Sequence, residues 1–191
     1  MYYIEEKGSS FKIENFLWDN NGYEPETIIT IGYDDGGYHV HCVSYETEIR
    51  RVQTEHNTEV FKDSCMEIFM QFDPKKDERY INIEVNPNGA AYSAISACRE
   101  ISEKIQPEII STLNIKTQIY EDRWEIEYYI PVEYIKRVIP SYTHKKGNVI
   151  RGNFYKCGNN AKYPHHGCLN KIDWEKPDFH RPEFFVEFEL R

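Results

Sequence analysis

Apolar and polar residues alternate with a period of two along much of this chain. Between Arg123 and Ile130, Trp124, Ile126, Tyr128 and Ile130 fall on one side, and Arg123, Glu125, Glu127 and Tyr129 on the other. That is the pattern of a strand with one buried face. Phe184, Val186, Phe188 and Leu190 alternate with Glu187 and Glu189 in the same way and predict a closing strand. Shorter runs predict further strands at 27–32, 38–45, 65–72, 80–85, 90–95, 115–120 and 149–155. Asp34-Asp35-Gly36-Gly37, Asp73-Pro74 and Asn86-Pro87-Asn88-Gly89 supply the turns between them.

Helical periodicity is scarce. Residues 131–138 can form two turns with Pro131 at an early position, where its missing N–H does no harm. Residues 101–110 are ambiguous, and Pro107 interrupts them. About nine strands with one or two short helices predict an all-β chain: an antiparallel β-sandwich of the immunoglobulin-like or jelly-roll type. No linker, repeat or low-complexity stretch divides residues 1–191, so one domain is expected. Residues 153–182 are irregular and rich in Gly, Pro, His, Asn and aromatics, as a functional or covering loop would be.

Three predicted strands carry polar residues at alternate positions. Glu67 lies between Met66 and Ile68, Asn82 and Glu84 alternate with Ile81, Ile83 and Val85, and Arg151 and Asn153 alternate with Ile150 and Phe154. If those strands are neighbours, one sheet face is apolar and the other gathers carboxylates, amides and a guanidinium. Such planar groups match vicinal sugar hydroxyls, and an aromatic ring can pack on the apolar face of a pyranose. A plain solvated sheet face explains the same periodicity.

Longer blocks carry a resemblance. Asp63-Ser64-Cys65-Met66-Glu67-Ile68-Phe69, the run from Tyr80 to Gly89, Trp124-Glu125-Ile126-Glu127 leading to Ile130-Pro131, and Arg151-Gly152-Asn153-Phe154-Tyr155-Lys156-Cys157 followed by Pro177-Asp178-Phe179-His180-Arg181-Pro182-Glu183-Phe184-Phe185 resemble the ordered motifs of family 9 carbohydrate-binding modules. The resemblance implies a β-sandwich that holds a terminal sugar unit or short oligosaccharide, commonly between two tryptophans, without cleaving it. Carried over, Glu67, Asn82, Glu84, Arg151 and Asn153 fall on ligand-contact positions, with Trp174 as one aromatic wall. Where the well-studied modules have a second tryptophan, this chain has Glu59-Val60-Phe61-Lys62. Either Phe61 stands in for that ring or the clamp is absent. Tyr163 and His165, in the irregular loop, are expected beside Trp174, and Arg151 is expected to pair with Glu67 or Glu84.

Composition narrows the alternatives. The formal net charge is −9, which disfavours nucleic acid and anionic membranes as partners. No run of apolar residues is long enough for a spanning helix, so no membrane is expected. The start of the chain has no basic and then apolar stretch, and the five cysteines are odd in number and widely spaced. Both point to reduced thiols and a cytoplasmic setting. His165, His166, His180, Cys157 and Cys168 lack the tight pairing of zinc motifs, so packing is the expected reading and no metal is assigned. Some relatives hold structural calcium, but no Asp-rich loop here has calcium spacing. Catalysis has no signature: Glu67 and Glu84 could pair as acid and base, yet lie in no hydrolase motif. A haem site would have to use Met66, Met70, His39 and His41, and the two methionines read as core. A structural or interaction protein that keeps the fold without a sugar site is the remaining class.

Overall fold

The structure, a computed structural model, describes residues 1–18 and 22–191. In chain order the first strands are β1 (Tyr2–Ile4), β2 (Ser9–Ile13), β3 (Asn15–Phe16), β4 (Thr27–Asp34), β5 (Gly37–Ser44), β6 (Cys65–Gln71) and β7 (Tyr80–Val85). There follow β8 (Ala91–Ser96), β9 (Ser102–Lys104), β10 (Lys116–Ile119), β11 (Trp124–Pro131), β12 (Val149–Cys157), β13 (His166–Cys168) and β14 (Val186–Leu190). Helix is confined to α1 (Pro107–Ile110), α2 (Val132–Val138) and three 3₁₀ turns among the described residues.

The strands form two sheets. The larger has nine strands in the order β1-β14-β12-β6-β7-β8-β9, with β13 added beside β12 and β3 beside β13. The smaller has five, in the order β10-β11-β5-β4-β2. Pairing is antiparallel throughout except where β1 runs parallel to β14. The expected β-sandwich is therefore present, with that one parallel edge as an addition.

Alternation explains the core between the sheets. Ile29, Ile31, Val40, Trp124, Ile126 and Ile130 point inward from the small sheet. Met66, Ile68, Met70, Ile81, Ile83 and Phe154 meet them from the large one. Trp124 is fully buried there, as its position on the apolar face predicts. Met66 and Met70 join this core while His39 and His41 lie on the outer face of the small sheet, so the four never converge on one site. His39 bonds Asp34 at 2.7 Å, and His41 lies 3.4 Å from Glu125.

Two helical expectations are adjusted. Pro131 caps α2 rather than sitting inside it. Pro107 does not break a helix but starts one, α1, because the first helical residue needs no N–H partner. The residues just before it form β9 instead. The short strands β1, β3, β9 and β13 have too few residues for a period to show, and only their neighbours define them. Gly152 allows β12 to lie close to β6: a Cβ there would sit 2.5 Å from the Phe69 carbonyl oxygen.

The Asp-Ser pair before β6 has a structural task. Asp63 accepts hydrogen bonds from the Val52 and Gln53 amides (2.9 and 2.8 Å) and from the Asn86 side chain (2.9 Å). Ser64 donates to Glu46 (2.8 Å) and accepts from the Arg50 amide (3.0 Å). Together they clamp the connection from β5 to the head of β6. Next to the clamp, Lys156 and Glu46 form a fully buried ion pair at 3.0 Å. Glu46 also accepts from the Trp124 indole, and Lys156 contacts His165 at 2.7 Å. Each member is satisfied, as a buried charge pair requires.

Candidate functional site

The outer face of the large sheet is not a solvated polar surface. All seven residues of β6 are buried, so both of its faces are covered. The cover is the long irregular segment 158–185, which lays Ile172, Phe179 and Phe185 over Phe69, Tyr80 and Tyr155 in a second apolar cluster. Phe179 stacks on Tyr155 with centroids 4.2 Å apart and planes 9° from parallel. The solvated sheet face considered from periodicity alone is thereby overturned. Period two reports which side a residue faces, and only the cover decides whether that side meets water.

Register sets the floor. Glu67 stands opposite Glu84 on β7 and opposite Tyr155 on β12, while Cys65 stands opposite Cys157. A pocket of about 350 Å³ opens over Glu67 and Glu84. Phe61, Phe69, Tyr92 and Phe179 provide its aromatic surfaces. Arg99, Ser102 and Lys104, from the β8–β9 hairpin, provide an exposed polar rim. Asp178 fixes part of that rim by accepting two bonds from Arg99, at 3.1 and 2.6 Å. His180 packs over Phe69 and shares a 2.8 Å bond with the Tyr80 hydroxyl.

Burial dominates the electrostatics. Glu67 and Glu84 are 3% and 4% exposed. Burial pushes Glu84 up to about 7, against the Asn82 amide that donates to it at 2.9 Å and the charge of Arg99, both of which favour ionisation. Burial drives Glu67 well above the usual carboxylate range, and the neighbouring Cys157 and Glu84 add to the rise. Two carboxyls directly across a strand pair cannot both ionise cheaply in such a setting. His180 is lowered to about 4, first by burial and then by Arg99, so it is neutral at pH 7. Burial likewise pushes the Cys65 thiol up to about 12.

The sequence-predicted residues divide. Phe61, Glu67 and Glu84 line the pocket together. Asn82 stands just behind them, orienting Glu84. Arg151 does not pair with Glu67 or Glu84 as expected. It donates to Gln71 (3.3 Å) and to the backbone carbonyls of Phe185 and Pro182 (3.1 and 3.4 Å). The reason is register: Arg151 lies opposite Gln71, two rows along the sheet from Glu67. Asn153 bonds both ways with the Asn170 backbone, at 2.9 Å each, and so pins the covering segment.

The three loop residues also lie outside the pocket lining. Trp174 is 47% exposed, with the Arg181 guanidinium 3.5 Å above its ring. Its carbonyl accepts from the Trp18 indole, and Trp18 packs against His166 and Phe179 at the pocket. Tyr163 packs on Tyr23, its ring half exposed. His165 is fully buried beside Lys156 and is lowered to about 2, first by burial and then by the Lys156 charge. Sequence reasoning missed Tyr92, Arg99, Lys104, Asp178 and His180 as lining residues, because a hairpin and a loop far apart in the chain bring them together. Only the Asp178-Phe179-His180 run stands in a motif that points there.

The sequence profile of Carbohydrate-binding family 9 matches residues 3–190. The chain is a member of carbohydrate-binding family 9. No curated protein sequence matches it. Among solved structures, this family 9 chain is similar to a candidate carbohydrate-binding protein from Bacteroides uniformis, with a TM-score of 0.82 at 25% identity over 97% of this chain and 87% of that one. It is similar in fold to a family 9 module from Caldicellulosiruptor kristjanssonii in complex with glucose, with a TM-score of 0.69 at 12% identity over 97% and 85% of the two chains. For that organism's module in complex with cellotriose, the TM-score is 0.70 at 12% identity over 100% and 93%.

Proposed function

We propose that this family 9 domain binds the terminal sugar unit of an oligosaccharide, without cleaving it, in the pocket over Glu67 and Glu84. The observation that carries this reading is the pairing of two buried carboxyls with the aromatic surfaces of Phe61, Tyr92 and Phe179. Carboxyl oxygens accept from vicinal hydroxyls in a bidentate manner, Arg99 and Lys104 donate to ring and hydroxyl oxygens, and the rings cover C–H faces. The volume lies at the lower end of small-molecule sites and suits a chain end better than a long polymer. Family membership and the glucose and cellotriose complexes of the similar modules support the same class of ligand. The absence of a hydrolase motif around Glu67 and Glu84 in the sequence supports binding alone. The odd number of cysteines supports a reducing, cytoplasmic setting.

Calorimetry and tryptophan fluorescence against glucose, cellotriose and a panel of other mono- and oligosaccharides test this. A neutral sugar should bind with a Kd of roughly micromolar to millimolar. Glu84→Gln and Arg99→Ala should each weaken it at least about tenfold, as expected for a lost bond to a charged group. No heat and no quenching across the panel would overturn the reading, as would reducing sugar released from a bound oligosaccharide.

A further inference from the structure

Beside the sugar-facing carboxyls, the pocket floor contains a second kind of chemistry. Cys65 begins β6, Glu67 follows two residues later on the same face, and Cys157 lies directly across from Cys65 on β12. One ligand atom from each, two sulfurs and a carboxyl oxygen, lies within 4.8 Å of the other two. All three residues are buried, and Glu67 and Cys157 reach the pocket. This is the group of three or more His, Cys, Asp or Glu side chains that converges in this way among the described residues. The loop histidines and Cys168 do not join it: His165 contacts Lys156, His166 contacts Asn159, and Cys168 lies opposite Tyr155.

Two cross-strand cysteines can be no more than small apolar residues. The carboxyl between them argues for more. Among the described residues, the hydrogen-bond donor to Glu67 is the Cys157 thiol, at 3.0 Å. A thiol is a weak donor, and a buried carboxyl normally demands strong ones. The same atoms are good ligands for a thiophilic ion. Two thiolates each about 2.3 Å from a tetrahedral ion sit roughly 3.8 Å apart, a separation compatible with sulfurs that already lie within 4.8 Å of each other.

We propose that Cys65, Glu67 and Cys157 form a binding site for one divalent cation of the zinc type, with its fourth position open to the pocket. On binding, two S–H bonds and one carboxyl O–H break, three protons leave to water, and three bonds to the ion form. The ligand set then carries three negative charges against two positive, with the Arg99 guanidinium at the rim of the same pocket. Three protein ligands and one open position is the arrangement of a zinc site that takes an exogenous ligand.

The test uses the whole chain, kept reduced, and titrates it with Co²⁺ in the absence of sugar, followed by competition with Zn²⁺. One equivalent should produce a thiolate-to-cobalt charge-transfer band and tetrahedral ligand-field bands, and zinc should bleach them. Cys65→Ser, Cys157→Ser and Glu67→Gln should each weaken binding at least about 100-fold, more than the loss of an outer-sphere group. Cys42→Ser and Cys98→Ser should leave it unchanged. Circular dichroism checks that each variant is folded, and Glu67→Gln keeps the test decisive if a serine variant is not. No charge-transfer band from the wild type, or a band that survives Cys157→Ser or disappears with Cys98→Ser, overturns the proposal. Because no sugar is present, failure here leaves the sugar reading standing, and failure of the sugar panel leaves this result untouched.

Discussion

The two faces of the large sheet are made by the same strands and are both buried, yet they are built on different principles. On the inner face, Ile68, Ile83 and Phe154 meet the small sheet with no polar atom to satisfy. On the outer face, Glu67, Asn82, Glu84, Arg151 and Asn153 stand among Phe69, Tyr80 and Tyr155 under an irregular cover. The inner face relies mainly on volume and shape, with its few polar groups, such as the Lys156–Glu46 pair and Ser93 with Tyr134, paired to one another. The outer face needs a named partner for almost every polar group, and the covering segment supplies many of them through its backbone. A face of the first kind makes stability. A face of the second kind can leave carboxyls dry, poorly matched and therefore available to a ligand.

The sharpest way to separate the two is to cut each in turn. Ile83→Ala on the inner face should cost about 2–5 kcal/mol of unfolding free energy, as buried large-to-small changes do. Urea denaturation would measure it, and the folded fraction should keep its ligand affinity. Asn153→Ala on the outer face should cost less, about 1–3 kcal/mol, because it strands the Asn170 amide and carbonyl it now satisfies. Hydrogen exchange should then show the amides of 158–185 opening while β7 stays protected. If both variants lower stability equally and neither loosens the cover, the two faces do not differ as described.

Titration probes the outer face directly, through Glu84 and His180, whose pKa values burial moves. Glu84 is raised from 4.5 to about 7, so between those values the native state holds a proton that the unfolded chain has released. Its contribution to stability is therefore full below pH 4.5 and is lost as pH rises through about 7. His180 works the other way: lowered from 6.5 to about 4, it makes the native state lose stability as pH falls across that window. Urea midpoints for wild type and Glu84→Gln should thus converge at acid pH. Above neutrality the variant should be the more stable, and a constant difference across the range would show that Glu84 titrates normally.

The smallest expected effects concern the rings. Phe61→Ala should weaken sugar binding about three- to tenfold, the worth of one aromatic contact. Trp174→Ala should change it less, since that ring is held by Arg181 outside the pocket lining. A larger loss for Trp174 than for Phe61 in calorimetry would mean that the covering segment swings Trp174 over the sugar when one binds.

Much of this molecule is legible in its sequence alone. Period two specifies which residues share a face, and that is enough to derive the strands β4 to β8, β10 to β12 and β14, the sandwich, the burial of Trp124 and the shared side of Glu67, Asn82 and Glu84. Alternation is a local property, so a local reading recovers it. The motif blocks added the family for the same reason, being contiguous runs. What tertiary structure alone decided is which groups meet. Arg99 and His180 are 81 residues apart in number and line one pocket, while Arg151, close to Glu67 in pattern, is two rows away in register. Cys65 and Cys157 face one another only because β12 runs antiparallel to β6. Register, and the path of a loop whose residues have no period, are set by long-range packing. No alternation within one strand encodes its partner, and so the faces could be read from the sequence but the pocket could not.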